Sequence, residues 1–429
     1  MLSEARWIHR AAAVFQRAQV PLYIVGGAVR NPLMGLPISD VDVCGPARPE
    51  TILALCEGTE IRARLRAAHF GTVELHLTDE DGVRHMAEYT TFREDSYRCG
   101  HKPDSVRFTE NIDVDALRRD FSVNALYRQV HPNGLGPVID PTGGLAHLRE
   151  SVLHTVTADP DQVLKDDGLR ILRAARFQAE LDLQPTPALL DSLTRYAPLL
   201  REIAPERLRE ELQKTLLADW RYPQLVRRKP GSESGLNTLC RVGAWPWLME
   251  NLPCREENRR AMGTLQPVEG LSPVSLRLAL LLAGTPGKDA AAVMDRLRFS
   301  RREVDETVRL LDAYSQALAG TTGPVWAART GLVRLRGVSA LLRALCHFET
   351  AGVLDALACR MLERRLPLTL RELAVHGGDL APLIREKNAP ASVTGLLLEA
   401  LWDAVLREEA PNQKEALLKM AAGLPLFHS

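Results

Sequence analysis

The spacing of apolar and polar residues divides the chain into two parts. Up to about residue 150, short apolar runs are separated by turn residues, which is typical of strands and short helices. Residues 92–115 are polar and irregular, so we expect a mobile loop there. The predicted elements are a helix over 1–18, a strand over 22–25, a helix over 28–34 ending at Gly35, and strands over 39–43, 72–77 and 83–91.

Helical periodicity dominates the remainder of the chain. Asp159-Pro160 is typical of a helix start, because Asp can cap a helix and Pro fits its first turn. Beyond these residues strand signals nearly vanish, and only Pro/Gly-rich segments interrupt the helical pattern. The pattern therefore predicts an α/β head, with a small mixed sheet and helices, followed by an all-α C-terminal region.

Length and composition predict a soluble protein of several domains. At 429 residues the chain exceeds one ordinary core. No apolar stretch approaches the roughly 18 residues of a membrane span, so we expect no membrane partner. The seven cysteines are scattered without a Cys-x-x-Cys pair, which predicts neither a disulfide framework nor a zinc site and favours a cytoplasmic location. The formal net charge is zero, so any basic surface for nucleic acid must be local.

Two carboxylates provide the first candidate chemistry. In a strand, Asp40 and Asp42 point to the same face, whereas the valines between and after them point to the core. Such close carboxylates repel each other unless a cation lies between them, and a hard divalent ion is the natural partner. Taken alone, Asp-x-Asp is also a common surface triplet.

A phosphate-binding turn is predicted just upstream of these carboxylates. Gly26-Gly27 ends a strand and opens a helix, so main-chain N–H groups can approach phosphates closely. Arg30 can hold a triphosphate oxygen. Gly-Gly alone could be an ordinary strand-to-helix turn. Followed about ten residues later by Asp-x-Asp, it predicts a phosphate cradle next to a metal site.

Residues 26–43 resemble the first signature of the polymerase-beta-like nucleotidyltransferases, and most closely the tRNA nucleotidyltransferase / poly(A) polymerase family, in its bacterial class II. Further segments resemble motifs of this family in the same order. They are EYTTFR at 88–93, LRRDFSVNAL at 117–126, DPTGG at 140–144, DDGLRILRAARF at 166–177 and ERLREEL at 206–212. The similarity is dense over about residues 20–215 and thinner beyond.

The resemblance implies an enzyme that adds or repairs the 3′-terminal CCA of tRNA from CTP and ATP, with Mg²⁺ as its cofactor and tRNA as its partner. No obligate protein partner is expected from the sequence. The expected domains are a catalytic head over 1–150, a nucleotide-templating helical neck over 151–220, a helical body over 221–345 and a tRNA-binding helical tail over 346–429.

Several site residues follow from the motif positions. The resemblance makes Asp40 and Asp42 the catalytic metal ligands, and Glu88 is either a third metal carboxylate or a sheet residue. The residues expected to bind the nucleotide are Gly26, Gly27, Arg30, Arg119, Asp120, Asp167, Arg170, Arg173 and Arg176.

Asp167 and Arg170 have two competing interpretations. On one helix they would be i,i+3 neighbours on one face, which could mean only a surface ion pair. The alternative is a reader of base edges, because cytosine and adenine both place an amine donor beside a ring-nitrogen acceptor. The resemblance implies this second role.

Some positions depart from the family pattern. Asn31 and His147 stand where the family usually carries Asp, and Asp166 replaces a Glu. Four alternative functions stay open at this point. They are a poly(A) polymerase, an enzyme that adds only CC, an enzyme that adds only A, and a catalytically silent tRNA-binding protein.

Overall fold

The computed structural model describes residues 6–38, 41–79, 81–96, 105–225, 227, 229 and 231–425. The chain forms two compact units, Met1–Cys254 and Arg255–Ser429.

The first unit begins with strands and short helices and continues with helices. Its strands are β1 Leu22–Val25, β2 Asp42–Gly45, β3 Arg62–Ala67, β4 Thr72–Thr78, β5 Arg84–Thr91, β6 Arg93–Ser96, β7 Ser105–Phe108, β8 Tyr127–His131, β9 Gly134–Ile139, β10 Val152–Leu153 and β11 Gln184–Pro185. Its helices are α1 Arg6–Arg17, α2 Gly27–Leu33, α3 Pro49–Cys56, α4 Ile112–Leu117, α5 Gly144–Arg149, α6 Pro160–Asp166, α7 Arg170–Leu181, α8 Pro187–Tyr196, α9 Pro205–Leu216, α10 Ala218–Arg221, α11 Gly231–Arg241 and α12 Trp245–Met249.

The predicted α/β head is confirmed as a mixed seven-stranded sheet in the order β3-β4-β5-β2-β1-β8-β9. Strands β2 and β5 run parallel, and the other neighbours are antiparallel. Helices α1 and α3 cover one face with a core that includes Phe15, Ile52 and Val73. A smaller core around Val25 and Tyr127 lies on the other side of the sheet's centre. Apolar burial at every second strand position explains this layering.

The predicted loop over residues 92–115 is wrong at both ends. Strands β6 and β7 pair in antiparallel register, from Arg93 opposite Phe108 to Ser96 opposite Ser105. Helix α4 then begins after Asn111, whose side chain caps it. Polar strands of a two-stranded ribbon lack the alternation of apolar residues that indicates a buried strand, so the sequence pattern did not predict them. Residues 97–104 of the predicted loop lie outside the described residues.

The one helix expected to carry both Asp167 and Arg170 is broken between these two residues. Helix α6 ends at Asp166, Asp167 has extended backbone, and α7 begins at Arg170. Gly168 lies in this break, where a Cβ atom would come within 2.9 Å of the Leu199 Cβ. The break therefore moves Asp167 off the helix that carries Arg170. The predicted helix start is confirmed, since the Asp159 carboxylate accepts from the N–H groups of Asp161 and Gln162.

The second unit is helical throughout its described part, as predicted. Its helices are α13 Glu256–Ala261, α14 Pro273–Leu281, α15 Gly287–Arg296, α16 Arg301–Leu318, α17 Pro324–Thr330, α18 Leu332–Ala344, α19 Phe348–Glu363, α20 Gly377–Glu386, α21 Val393–Leu406 and α22 Lys414–Ala422. Helix α16 shows how the sequence sets these boundaries, because Ser300 and Glu303 form a capping box at its start. Within the described residues, no helix combines the length and the apolar character needed to cross a membrane.

One pair of cysteines forms a disulfide, although the scattered cysteines predict no disulfide framework. Cys240 on α11 and Cys254 at the end of the first unit are joined, with their Cα atoms 6.9 Å apart. The segment between them folds back, and the Trp245 indole N–H donates to the Leu252 carbonyl at 2.7 Å. A separation of 14 residues without a motif gave no signal of this pairing.

Candidate active site

A cavity of about 490 Å³ lies in the first unit between the sheet and the helices that follow it. Its lining carries ten Arg or Lys side chains against five carboxylates. The cavity is therefore a local basic surface in a chain whose formal net charge is zero. Asp42 lines this cavity together with every residue expected to bind nucleotide. Those residues are Gly26, Gly27, Arg30, Arg119, Asp120, Asp167, Arg170, Arg173 and Arg176.

The Gly-Gly turn presents helix α2 to this cavity. Gly26 has φ of 64°, a conformation that favours glycine, and its N–H donates to the Leu126 carbonyl. Arg30 is buried on α2, donates to the Asn124 amide oxygen and lies over the Phe177 ring. Burial lowers the pKa of Arg30 to about 10, against the opposing effect of the Glu180 carboxylate. The guanidinium therefore stays charged at neutral pH.

Asn31 fills the position where the family usually carries Asp. Its amide oxygen accepts from Arg30 Nη2 at 2.8 Å, while its amide nitrogen donates to the Pro37 carbonyl at 2.9 Å. The same nitrogen donates to the Tyr222 hydroxyl at 3.1 Å. A carboxylate could not make the donation to Pro37, so this chain exchanges an ion pair for a neutral amide bridge.

Asp120 is buried and binds an arginine side chain of helix α7. Its carboxylate accepts from Arg173 Nε at 2.6 Å and from the Asn124 amide at 3.1 Å. Burial alone would raise the pKa of Asp120, but the charges of Arg173 and Arg170 hold it well below its usual range. Asp120 is thus ionised at all ordinary pH values and fixes the position of Arg173 in the cavity.

Two arginines of α7, Arg173 and Arg176, lie close to one aromatic ring. Arg173 and Arg176 lie 5.3 Å and 4.4 Å from the Phe177 ring centroid. Arg176 Nη1 also pairs with the Glu211 carboxylate at 3.1 Å. Burial first, and then the charge of Arg173, lower the pKa of Arg176. Cations crowded together in this way create a binding site for a polyanion.

Asp167 and Arg170 both face the cavity but have different partners. Asp167 Oδ2 pairs with Arg207 Nη2 at 3.0 Å. Arg170 donates to the main-chain carbonyls of Val163 at 2.9 Å and Arg118 at 2.6 Å. The expected i,i+3 placement on one helix is therefore wrong, because the chain breaks between α6 and α7.

Carboxylates meet where β2 lies beside β5. Asp42 and Glu88 are register partners on these parallel strands. Partial burial, followed by the charges of Asp42 and Glu74, raises the pKa of Glu88. Asp40 lies outside the described residues, and within them no group of three metal-ligating side chains forms. A set of carboxylate oxygens whose charges oppose one another fits a hard divalent cation. Glu88 itself is not among the residues that line the cavity.

Other lining residues had been assigned no role in nucleotide binding. They include Arg93, Asp95, Arg118, Asn124 and Phe177, as well as Lys214, Arg221 and Tyr222, which come from α9, α10 and the segment after α10. Arg93, Arg118, Asn124 and Phe177 stand inside the motifs that carried the resemblance, so motif membership was their available signal. Tyr222 had none.

Asp115 is a buried carboxylate on which two arginines converge. It pairs with Arg118 at 2.8 Å and Arg119 at 3.0 Å, and the Tyr127 hydroxyl donates to it at 2.8 Å. Burial alone would raise the pKa of Asp115, but the charges of Arg119 and Arg118 lower it to about 2. The sequence motif contains the two arginines but not this residue, so sequence reasoning missed it.

We expect Asp115→Asn to lower the free energy of unfolding at pH 7 by about 2 kcal/mol, since the lowered pKa measures the stabilisation of the charged form. This stabilisation is complete above the unfolded-state pKa of about 3.9. It is lost as the pH falls towards 2, so wild type and variant should converge there. Urea unfolding between pH 7 and pH 2 measures the difference. Asp113→Asn, at an exposed position on the same helix, is the matched control. An equal loss at both positions contradicts the assignment.

His147 and Asp166, the other departures from the family pattern, form local contacts. The His147 ring pairs with the Ser122 hydroxyl at 2.8 Å and stacks on His154 at 4.7 Å between centroids. Asp166 accepts from the Gln162 amide at 2.7 Å. Neither residue lines the cavity.

Three family models match successive parts of the chain. They describe the poly A polymerase head domain over residues 22–154, a probable RNA and SrmB-binding site of polymerase A over 182–223, and a putative tRNA nucleotidyltransferase domain 2 over 275–421.

Similar proteins extend over almost the whole chain. The CCA-adding enzyme of Geobacillus stearothermophilus is 30% identical over 92% of this chain and 91% of its own length. That of Anoxybacillus flavithermus is 36% identical over 93% and 92%. The structure of the Bacillus stearothermophilus CCA-adding enzyme in complex with CTP is 26% identical, with a TM-score of 0.78 over 98% of this chain and 96% of that one. The Thermotoga maritima CCA-adding enzyme complexed with tRNA, 19% identical with a TM-score of 0.66 over 96% and 93%, shares the fold. With this identity over nine-tenths of its length, the chain belongs to the tRNA nucleotidyltransferase / poly(A) polymerase family, alongside the bacterial CCA-adding enzymes.

Proposed function

We propose that this chain builds or repairs the 3′-terminal CCA of tRNA from CTP and ATP, without a nucleic-acid template. The observation that carries the proposal is the single cavity in which the Gly26-Gly27 turn, Asp42 and the residues Asp167 and Arg170 meet. A phosphate cradle, a metal carboxylate and base-reading groups are what template-free selection of a nucleotide requires. The CCA-adding relatives support the same activity.

The cavity assigns separate tasks to its residues. The main chain at Gly26-Gly27 and the Arg30, Arg173 and Arg176 guanidinium groups bind the triphosphate. Arg119 and Asp120 orient the sugar side of the nucleotide. Asp167 and Arg170 accept from and donate to the edge of the base. These roles are proposed from position and charge.

Mg²⁺ would be held by Asp40 and Asp42, with Glu88 as a third ligand. When bound, the metal supplies charge neutralisation at the triphosphate and lowers the pKa of the attacking 3′-hydroxyl. The residues themselves keep the triphosphate in line with the incoming RNA end and hold the leaving pyrophosphate among cations.

The proposed domains keep the boundaries expected from the sequence. The head over 1–150 carries catalysis, the neck over 151–220 carries base selection, the body over 221–345 contains the boundary between the two compact units, and the tail over 346–429 binds tRNA. We also propose that the enzyme acts in the cytoplasm, where uncharged tRNA is available to it.

Incubation with tRNA ending at the discriminator base should give addition of C, C and A, followed by a stop. We expect the stop because a fixed site on the protein selects each nucleotide, whereas an enzyme that makes a homopolymer tract continues to add the same nucleotide. Gel analysis with each nucleotide singly and with CTP and ATP together measures the products. A tRNA that already ends in CCA is the control, and it should not be extended.

Each alternative function predicts a different product. Long A tracts on unstructured RNA would indicate a poly(A) polymerase. No addition to the bare end, with A added only after CC, would indicate an A-adding enzyme, and a stop after CC would indicate a CC-adding one. Tight tRNA binding without any addition would indicate a silent binding protein.

A further inference from the structure

One face of the head sheet is open, and its outer strands carry a row of arginines on the same face as Asp42. Strand β3 is the edge strand and has the sequence RARLRA, in which Arg62, Arg64 and Arg66 alternate on one face and are all exposed. Arg84 at the start of β5 is exposed as well. Strand register places these side chains on the same face as Asp42, because paired residues of neighbouring strands share a face.

The register can be followed strand by strand. Arg64 pairs with Glu74, Glu74 with Glu88, and Glu88 with Asp42, which gives a continuous row across β3, β4, β5 and β2. Three strand spacings of about 4.8 Å separate the ends of this row, so they lie roughly 14 Å apart. Next to it, Arg62 pairs with His76, and His76 with Met86. Met86 is 55% exposed, which offers an apolar surface among the cations.

The positive charge of this face is only partly paired, although Glu74, Glu88 and Asp42 lie on the same face. Arg66 pairs with Glu74 at 2.9 Å. Among the residues that the structure describes, no carboxylate lies within ion-pair distance of Arg62, Arg64 or Arg84. The other face of β4 and β5 is covered by the core under α1 and α3. The outer part of the open face is thus a cationic strip of Arg62, Arg64 and Arg84, and Glu74 and Glu88 lie between this strip and Asp42.

Much of the nucleotide cavity lies beyond Asp42 as seen from the arginine strip. The turn after β1 and the segment before β8 line the cavity together with Arg93 and Asp95 of β6, whereas the arginine strip lies on β3 and at the start of β5. In-line displacement needs the attacking oxygen opposite the leaving pyrophosphate. An RNA end that reaches Asp42 from the side away from the cavity must therefore pass over the strip.

We infer that Arg62, Arg64 and Arg84 form a track for the phosphate backbone of the RNA acceptor end and guide its 3′-hydroxyl to the metal carboxylates. The inference rests on the proposed function and adds an RNA-binding surface to it. Arginine suits the role because its guanidinium binds phosphate oxygens through two N–H groups. The contacts would be independent of sequence, as an enzyme acting on many tRNAs requires.

The test compares the triple variant Arg62→Ala/Arg64→Ala/Arg84→Ala with Arg6→Ala/Arg17→Ala/Arg149→Ala. The second variant removes three exposed arginines of the same unit, none of which lines the cavity. We expect the KM for tRNA to rise about tenfold or more in the track variant only, with the KM for CTP and the kcat at saturating tRNA unchanged. The salt dependence of tRNA binding should lose a slope of roughly 2–3, since each phosphate contact contributes about 0.7–0.9.

The outcomes separate this inference from the proposed function. If wild type adds no nucleotide to tRNA, the proposed function fails before the variants are compared. If wild type is active and both triple variants have the same KM for tRNA and the same salt slope, the track is wrong and the function stands. Aggregation of the track variant with unchanged tRNA kinetics would instead show that these arginines protect the sheet edge, which also overturns the track. Melting curves establish that both variants are folded.

Discussion

Replacing Asp42 with Ala should abolish nucleotide addition while leaving the fold intact. A metal ligand supplies several kcal/mol of transition-state stabilisation, so activity in Mg²⁺ should fall by at least about 100-fold. Asp42 is exposed at the start of β2 and is the register partner of Glu88. Because its charge raises the pKa of Glu88, its removal relieves repulsion and should leave the melting temperature unchanged or slightly higher. The same loss of activity is expected for Asp40→Ala, on the sequence pattern alone.

Single-turnover addition of C to tRNA, together with thermal melting, makes this measurement. Asp81→Ala removes an exposed carboxylate in the turn between β4 and β5 and is the matched control. Retention of more than a few per cent of activity by the folded Asp42 variant would remove it from the metal ligands. The variant Glu88→Gln then decides the role of Glu88, since activity would survive the amide if Glu88 is a sheet residue and would be lost if it is a metal ligand.

The sequence predicted those parts of the fold that have strong periodicity. Strand β1 begins and ends as expected at Leu22 and Val25, and the helix start at Asp159 follows from its capping chemistry. Hairpin strands β6 and β7 were missed, because their residues are mostly polar and show no apolar alternation, even though the Asp95 side chain on β6 is buried.

The lining of the cavity was predictable only where a motif marked it. Tyr222 comes from a segment almost 200 residues beyond Asn31, yet its hydroxyl accepts from the Asn31 amide at 3.1 Å. Asp115 holds Arg118 and Arg119 through its burial, a tertiary property that local spacing does not encode. The open face of the sheet could not be predicted from the sequence either, since it depends on the order of the strands and not on any one strand.

The base selection that we propose for Asp167 and Arg170 has to work from side chains that already have protein partners. Asp167 Oδ1 accepts from the Leu169 N–H at 3.0 Å, and its other oxygen accepts from Arg207 at 3.0 Å. Each carboxylate oxygen can accept a second hydrogen bond, and Arg170 has N–H groups beyond the two that bind main-chain carbonyls. The existing bonds therefore fix both groups in place and leave capacity for a base edge, which is how a protein site can act as a template.

Changing this pair should alter which nucleotide is used, and not only the rate. Each lost contact should cost roughly 1–3 kcal/mol of discrimination for CTP and ATP over UTP and GTP, and the double variant should lose most of the selectivity. The measurement is kcat/KM for all four nucleotides with Asp167→Ala, Arg170→Ala and the double variant. Asp167→Asn keeps the shape of the side chain and can still accept from Leu169, so it tests selectivity even if an alanine variant is unstable.

Two further variants distinguish selection from scaffolding. Arg195→Ala breaks the exposed pair with Asp161, which lies outside the cavity, and should change neither selectivity nor activity. Arg207→Ala removes the partner that holds Asp167, so it should relax selectivity in the same direction as Asp167→Ala but by a smaller amount. Folded variants of Asp167 and Arg170 with the wild-type ratios would leave these side chains as supports for the junction of α6 and α7, because a purely structural contact changes stability without favouring one base over another.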